Sequence, residues 1–175
     1  MKLVIIITGF FLHLMYPPSS IYDMQIQTVE GNTIALSAYT GSKIMIATCN
    51  AAAPDTSFLT SLEAIKAANN NVRIVLIPAT DLSVADSSLN MLEVKTGLNL
   101  SYEISLLAAV KNGSASQHEL IKWLTTDTEN AHFDLDVSNE GQLFFISEKG
   151  SLYTVTAKTV EPGVIQEILN QTINE

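Results

Sequence analysis

The chain of 175 residues contains one cysteine, Cys49. A lone thiol can serve as a nucleophile or redox centre only as its thiolate, and with no second cysteine it closes no intramolecular disulfide. It sits in the stretch "IATCNAAAPDT", between an apolar strand-like run and a helix-like pattern. Turns from strand to helix are where α/β proteins house chemistry, yet Ala51, Ala52 and Ala53 offer no reactive group. Residues 127–136, "DTENAHFDLD", gather acids around His132. Their spacing matches neither an EF-hand loop nor a zinc motif, so a solvated acidic loop is the simpler reading and no metal site is assigned. His118 precedes an amphipathic stretch without a paired Ser or Cys nucleophile, which points to a cap or surface residue and not to a base. Gly31, Gly41, Gly113 and Gly150 read as turn glycines, and no Gly-rich phosphate loop is present. Asn99, Asn112 and Asn170 open formal glycosylation triplets, which matter only in a eukaryotic secretory pathway.

The elements that would position these residues alternate between strand and helix signals. Residues 22–29 and 33–36 flank Glu30-Gly31-Asn32 as a hairpin. Residues 42–49 hold a short continuous apolar run of the kind buried on both faces of a sheet. Thr56 or Ser57 is placed to cap a helix whose apolar positions Phe58, Leu59, Leu62, Ile65 and Ala68 follow a helical period, with Asn69-Asn70-Asn71 ending it. "VRIVLI", residues 72–77, is a second buried strand closed by Pro78. A helix is expected over 84–96 with Gly97 at its C-terminal cap, an edge strand within 100–107, and a helix over 117–124. Residues 142–147 and 151–156 form a hairpin about Glu148-Lys149-Gly150, and Pro162 opens a final helix reaching residue 173. Met45 and the Met91-Leu92 pair read as core. Strand, crossover helix, strand, helix, then an antiparallel hairpin and a last helix is the order of a thioredoxin-like α/β fold, a central mixed sheet flanked by helices with an N-terminal β-hairpin.

The residues after position 20 resemble the glutathione peroxidases in four places. Ile21-Tyr22-Asp23, Glu30-Gly31-Asn32 and the segment Leu36-Ser37-Ala38-Tyr39-Thr40-Gly41-Ser42-Lys43 are similar to that family's "IYDF…DGK…LS.YKGK". Ile77-Pro78-Ala79-Thr80-Asp81-Leu82 lies where the family has "FPCNQF", "HELIKWL" at 118–124 resembles "HPLYKWL", and "LFFISEKG" at 143–150 resembles "KFLVDEKG". The resemblance implies thiol-dependent reduction of hydroperoxides in the response to oxidative stress, with glutathione or thioredoxin as external reductant and no bound cofactor. It also implies a helix-rich insertion between the second crossover strand and the final hairpin.

The residues that would do that chemistry depart from the family. Its peroxidatic "ASxCGxT" falls on residues 50–56, where Thr56 matches but Ala53 takes the place of the sulfur. Its Gln falls on Asp81, its Trp and Asn fall on about Asn139 and Glu140, and Ala79 replaces a second cysteine. No catalytic position is intact. Added carboxylates near a thiol oppose its ionisation by like-charge repulsion. Cys49, four residues before Ala53, is the only candidate thiol, and at the end of a buried strand a free Cys behaves as a small apolar residue.

Composition narrows the classes of function. Of the residues 47% are hydrophobic and 15% charged, which favours one globular domain over residues 21–175. Nine Lys and Arg against 18 Asp and Glu, a net charge of −9, leave no basic patch for nucleic acid. Lys2 precedes an apolar run over 3–15 that Tyr16-Pro17-Pro18 breaks, shorter than a spanning helix needs. Residues 1–20 thus read as a signal peptide of an exported, periplasmic or secreted protein, or as an uncleaved anchor tethering it to a membrane. Three functions remain open: a non-catalytic binding or scaffold homologue with a partner in the cell envelope, whose pocket would be lined by Pro54, Asp55, Asp81 and Glu140; a one-cysteine thiol peroxidase using Cys49; and an unrelated small α/β envelope protein.

Overall fold

Two long parallel strands set the frame: β3 (Lys43–Asn50) and β4 (Val72–Ala79) pair from Lys43↔Val72 to Asn50↔Ala79. The structure, a computed structural model, describes residues 20–82, 90–157 and 160–174; the apolar run at 3–15 lies outside them. Preceding β3 is a hairpin of β1 (Gln25–Gln27) and β2 (Thr33–Ala35), as the turn at Gly31 predicts. β5 (Glu103–Ile104) adds parallel to β4, while β6 (Leu143–Ile146) and β7 (Leu152–Thr156) add antiparallel beyond β3. The resulting sheet order is β5-β4-β3-β6-β7. β1 reaches the β5 side through an antiparallel bridge, Thr28↔Ser105.

β3 is buried on both faces because α1 (Thr56–Ala68) and α5 (Pro162–Asn170) cover one and α3 (Glu119–Thr125) covers the other. The period-2 alternation of a strand divides it accordingly. Ile44 and Ile46 join Leu120, Trp123 and Leu124, whereas Met45, Ala47 and Cys49 join Phe58, Leu59, Leu62, Ile165 and Leu169. A continuous apolar run is what such a two-sided position demands. Between β4 and β6 lie α2 (Met91–Gly97), β5, α3 and α4 (Asp127–Asn130). Among the described residues no helix is long and apolar enough to cross a membrane.

Several boundaries differ from the sequence-based expectation, each for a local reason. α1 is capped by Asp55, whose carboxylate accepts from the N–H groups of Ser57 and Phe58 at 2.9 and 3.2 Å, one position before Thr56 and two before Ser57, the expected caps. β4 runs through Pro78 to Ala79. Pro78 turns toward the β5 side, where its carbonyl accepts from Ala108 N–H, so its missing N–H costs no bond to β3. The edge strand is only Glu103–Ile104, since β1 and the 105–109 segment take over the neighbouring positions. Asn90 caps α2 with extended backbone, so the helix starts at Met91; residues 84–89 of the expected helix lie outside the described ones. Gly97 is the last helical residue, and the left-handed position after it is Asn99, at φ 52°. α5 stops at Asn170, short of residue 173. Met45 and Met91 are core as expected, but Leu92 is 41% exposed.

Candidate functional site

The positions singled out by the family resemblance converge at one end of the sheet. β3 and β4 both finish there, and the antiparallel β6 begins there. Ala53 lies in the turn that follows β3, exposed, two residues before the Asp55 cap. That turn is tied down at both ends: Ala51 N–H donates to Ala79 O at 3.0 Å, and the Asn50 side-chain carbonyl accepts from Ala52 N–H at 3.0 Å. Asn139 and Glu140 reach the same end because Thr48 holds the chain before β6. Thr48 N–H donates to Gln142 O at 3.1 Å, Thr48 O accepts from Gly141 N–H at 2.6 Å, and its hydroxyl donates to Asn139 O at 3.5 Å. Thr48, fully buried, is a positioning residue that sequence reasoning missed, because a Thr inside an apolar run carries no signal of its partners.

The two new carboxylates at this end have different environments. Asp81, just past β4, accepts from Val110 N–H through both oxygens, at 2.9 and 3.0 Å, and from Lys111 N–H at 3.0 Å. It closes the 110–111 loop onto the sheet end. Glu140 is half-buried and close enough to Cys49 for its charge to act on the thiol.

Cys49 itself is 1% exposed, paired in register with Pro78 within β3. Burial, reinforced by the negative charge of Glu140, pushes its thiol up from an ordinary 9.0 to about 12. Tyr102 is buried on the same side of the sheet, donates its hydroxyl to Leu59 O at 3.1 Å, and has its own pKa raised by burial and by Cys49. At neutral pH Cys49 is therefore a protonated, enclosed thiol. The helix N-terminus that could stabilise an anion is six residues further on, and its amides at Ser57 and Phe58 already bind Asp55.

Of the residues expected to line a pocket, Pro54, Asp55, Asp81 and Glu140, both Asp55 and Asp81 turn their carboxylates onto backbone N–H groups. An apolar concavity of about 270 Å³ opens elsewhere, between α1 and α5, lined by Phe58, Ile65, Val160 and Ile165. His118 caps α3: its Nδ1 accepts from Leu120 N–H at 3.2 Å, and burial lowers its pKa. The acidic segment is organised by the buried Asn130, which donates to Trp123 O and Phe133 O at 2.8 and 2.9 Å and accepts from His132 and Phe133 N–H. Asp136 accepts from Asn112 N–H at 2.8 Å, and Glu129 pairs with Lys122 at 3.7 Å. Among the described residues no group of three His, Cys, Asp or Glu side chains is disposed to hold a metal ion.

A central mixed sheet with β-α-β on one side, an antiparallel hairpin on the other and helices on both faces defines a thioredoxin-fold protein. Solved structures of glutathione peroxidases and of other thioredoxin-fold proteins share this fold. Trgpx in its apo form superposes with a TM-score of 0.67 at 19% identity, over 86% of this chain and 93% of that one. GPX1 of T. cruzi gives 0.66 at 17%, over 86% and 94%. A thioredoxin-family thiol:disulfide interchange protein from Chlorobium tepidum TLS gives 0.60 at 14%, over 87% and 94%. No family model matches the sequence, and no curated protein does.

Proposed function

We propose that this chain keeps the glutathione-peroxidase form of the thioredoxin fold without its catalysis and works as a binding or scaffold protein of the cell envelope. The observation that carries this reading is the pairing of Ala53, a methyl group at the place of the sulfur, with a single thiol that is closed inside β3. Peroxide reduction needs a thiolate that attacks one peroxide oxygen, breaks the O–O bond, releases the alcohol or water and leaves a sulfenic acid for an external thiol to reduce. A protonated thiol raised to about 12 supplies almost no thiolate at neutral pH. Losing an auxiliary donor would leave residual rate; losing the nucleophile removes the pathway. The envelope assignment rests on Lys2 and the apolar run at 3–15. A one-cysteine peroxidase using Cys49 would require β3 to open, and burial and Glu140 both oppose it.

Stopped-flow mixing of the reduced full chain with hydrogen peroxide and an organic hydroperoxide, followed by mass spectrometry of Cys49, tests the reading. The thiol is expected to stay reduced. Sulfenate formed faster than on a free thiol would overturn the proposal and move the nucleophile to Cys49. Intact mass of the protein recovered from its producing cell reports on the leader: loss of about the first twenty residues fits export, and full-length chain in the membrane fraction fits an anchor.

A further inference from the structure

β7 forms one edge of the sheet, and its sequence, "LYTVT", holds five residues with no charge and no proline. Natural sheet edges are blunted by lysines, prolines or covering elements because an open edge pairs with another strand. Ser147 N–H donates to Ser151 O, and by alternation Phe145 and Leu143 also face β7, opposite Thr154 and Thr156. Val155, between those two, therefore turns its own N–H and C=O away from β6. Among the described residues no backbone hydrogen bond joins β7 to any strand other than β6.

Beside this edge runs the irregular 132–138 segment, and concavities open between them. Two concavities of about 310 and about 450 Å³ share Phe133. Leu135, Asn139 and Val155 also line the first; Leu152 and Ile173 also line the second. The segment over 131–142 carries Asp134, Asp136 and Glu140 with no Lys or Arg, and Asp134 is exposed while its neighbours Phe133 and Leu135 turn inward.

We propose that this edge is a docking site for an extended, basic peptide segment of another protein, which adds to β7 as a strand and sets alternate apolar side chains against Phe133 and Leu135. Main-chain pairing supplies the affinity and the flanking pockets supply the selection, the pattern of strand addition. Charge decides the occupant: a second copy would bring the same acids and a net charge of −9 to the same edge, whereas a basic strand meets them with opposite sign. Five residues of β7 span roughly 17 Å, enough for a peptide of about five to seven residues. The inference stands apart from the peroxidase question, since it uses neither Cys49 nor Ala53.

The test titrates the full chain with an acetylated, amidated heptapeptide KVKVKVK carrying a fluorophore, reading anisotropy and the backbone amide resonances. Binding is expected to move the resonances of Val155 and Phe133 and to weaken severalfold as salt rises past roughly 0.2 M. Val155→Pro, which removes the outward N–H but leaves the bonds to β6, should weaken it about tenfold or more. Asp134→Lys, an exposed change, should weaken it about threefold at low salt and keeps the question answerable if the proline variant does not fold. Equal binding of EVEVEVE, shifts confined to another face, or no shift at millimolar peptide would each overturn the proposal. Concentration-dependent broadening of β7 amides without peptide, relieved in Val155→Pro, would replace the partner peptide with a second copy of the chain.

Discussion

Cys49 keeps its proton because two things around it act in the same direction: burial in the apolar cluster that includes Phe58, Leu59 and Phe145, and the charge of Glu140. Its raised pKa ties it to stability. Above 9.0 the unfolded chain ionises while native Cys49 remains protonated up to about 12. Its contribution is therefore complete below the unfolded value and is lost as pH climbs from there toward about 12. Tyr153, raised by burial from 10.0 to about 12, acts in the same sense over the upper part of that range. Urea midpoints at about pH 8 and about pH 11 should fall less in Cys49→Ala than in the native chain; an equal fall would show that Cys49 is not the group being titrated. At Ala53 the opposite environment prevails. Ala53→Cys places a thiol at an exposed turn, where it should react with an aromatic disulfide reagent at least about tenfold faster than Cys49 at neutral pH. Its pKa should nonetheless stay near the ordinary value, because Asp55 already occupies the amides of Ser57 and Phe58. A value depressed well below that range would show the helix end still able to serve a thiolate.

At the scale of elements, two charged side chains hold helix ends that apolar packing alone leaves open. Asp55 satisfies two amides at the start of α1, and its replacement by Ala should cost about 1 kcal/mol, with Asn restoring most of the loss. Thermal or urea unfolding reads both variants. At the far end of α5, Lys43 is buried at the head of β3, where it donates to the carbonyls of Leu169 and Gln171, lies 3.9 Å from Glu148 and sits 5.6 Å from the Tyr153 ring centre. Lys43→Ala should destabilise by about 2 kcal/mol, and hydrogen exchange should speed first at the α5 amides of Ile168 and Leu169. Uniform acceleration across the sheet would instead place Lys43's effect in the core. Gly150 marks where elements meet most closely: at φ 94°, a Cβ there would lie 2.8 Å from the Tyr22 ring, so the β6–β7 turn takes glycine for both reasons.

Across the whole molecule, a net charge of −9 on a chain only 15% charged makes self-repulsion the dominant long-range field. Raising sodium chloride from about 10 to about 200 mM should lift the melting temperature by about 2–4 °C, the shift that about 1 kcal/mol produces in a chain of this size. A falling melting temperature would mean that ion pairs such as Lys43 with Glu148 and Lys95 with Glu103 outweigh the repulsion. The parts of the fold legible in the sequence were those with a period: the apolar runs of β3 and β4, the helical spacing of α1, and the β6–β7 hairpin about Gly150. Burial on one face or two writes itself directly into residue type, and so these elements follow from the sequence alone. Pro78 inside β4, the two-residue β5 and the cap at Asp55 did not follow, because each depends on which neighbour a backbone group meets across the sheet or turn. The same division holds at the candidate site. The sequence by itself determined that Ala53 carries no sulfur and that Cys49 is the single thiol. Only the tertiary structure decided that Glu140 acts on Cys49, that Asp81 is bound to the amides of Val110 and Lys111, and that β7 offers an open edge. These are contacts between residues far apart in the chain, and neither composition nor periodicity specifies which distant groups the folded sheet brings together.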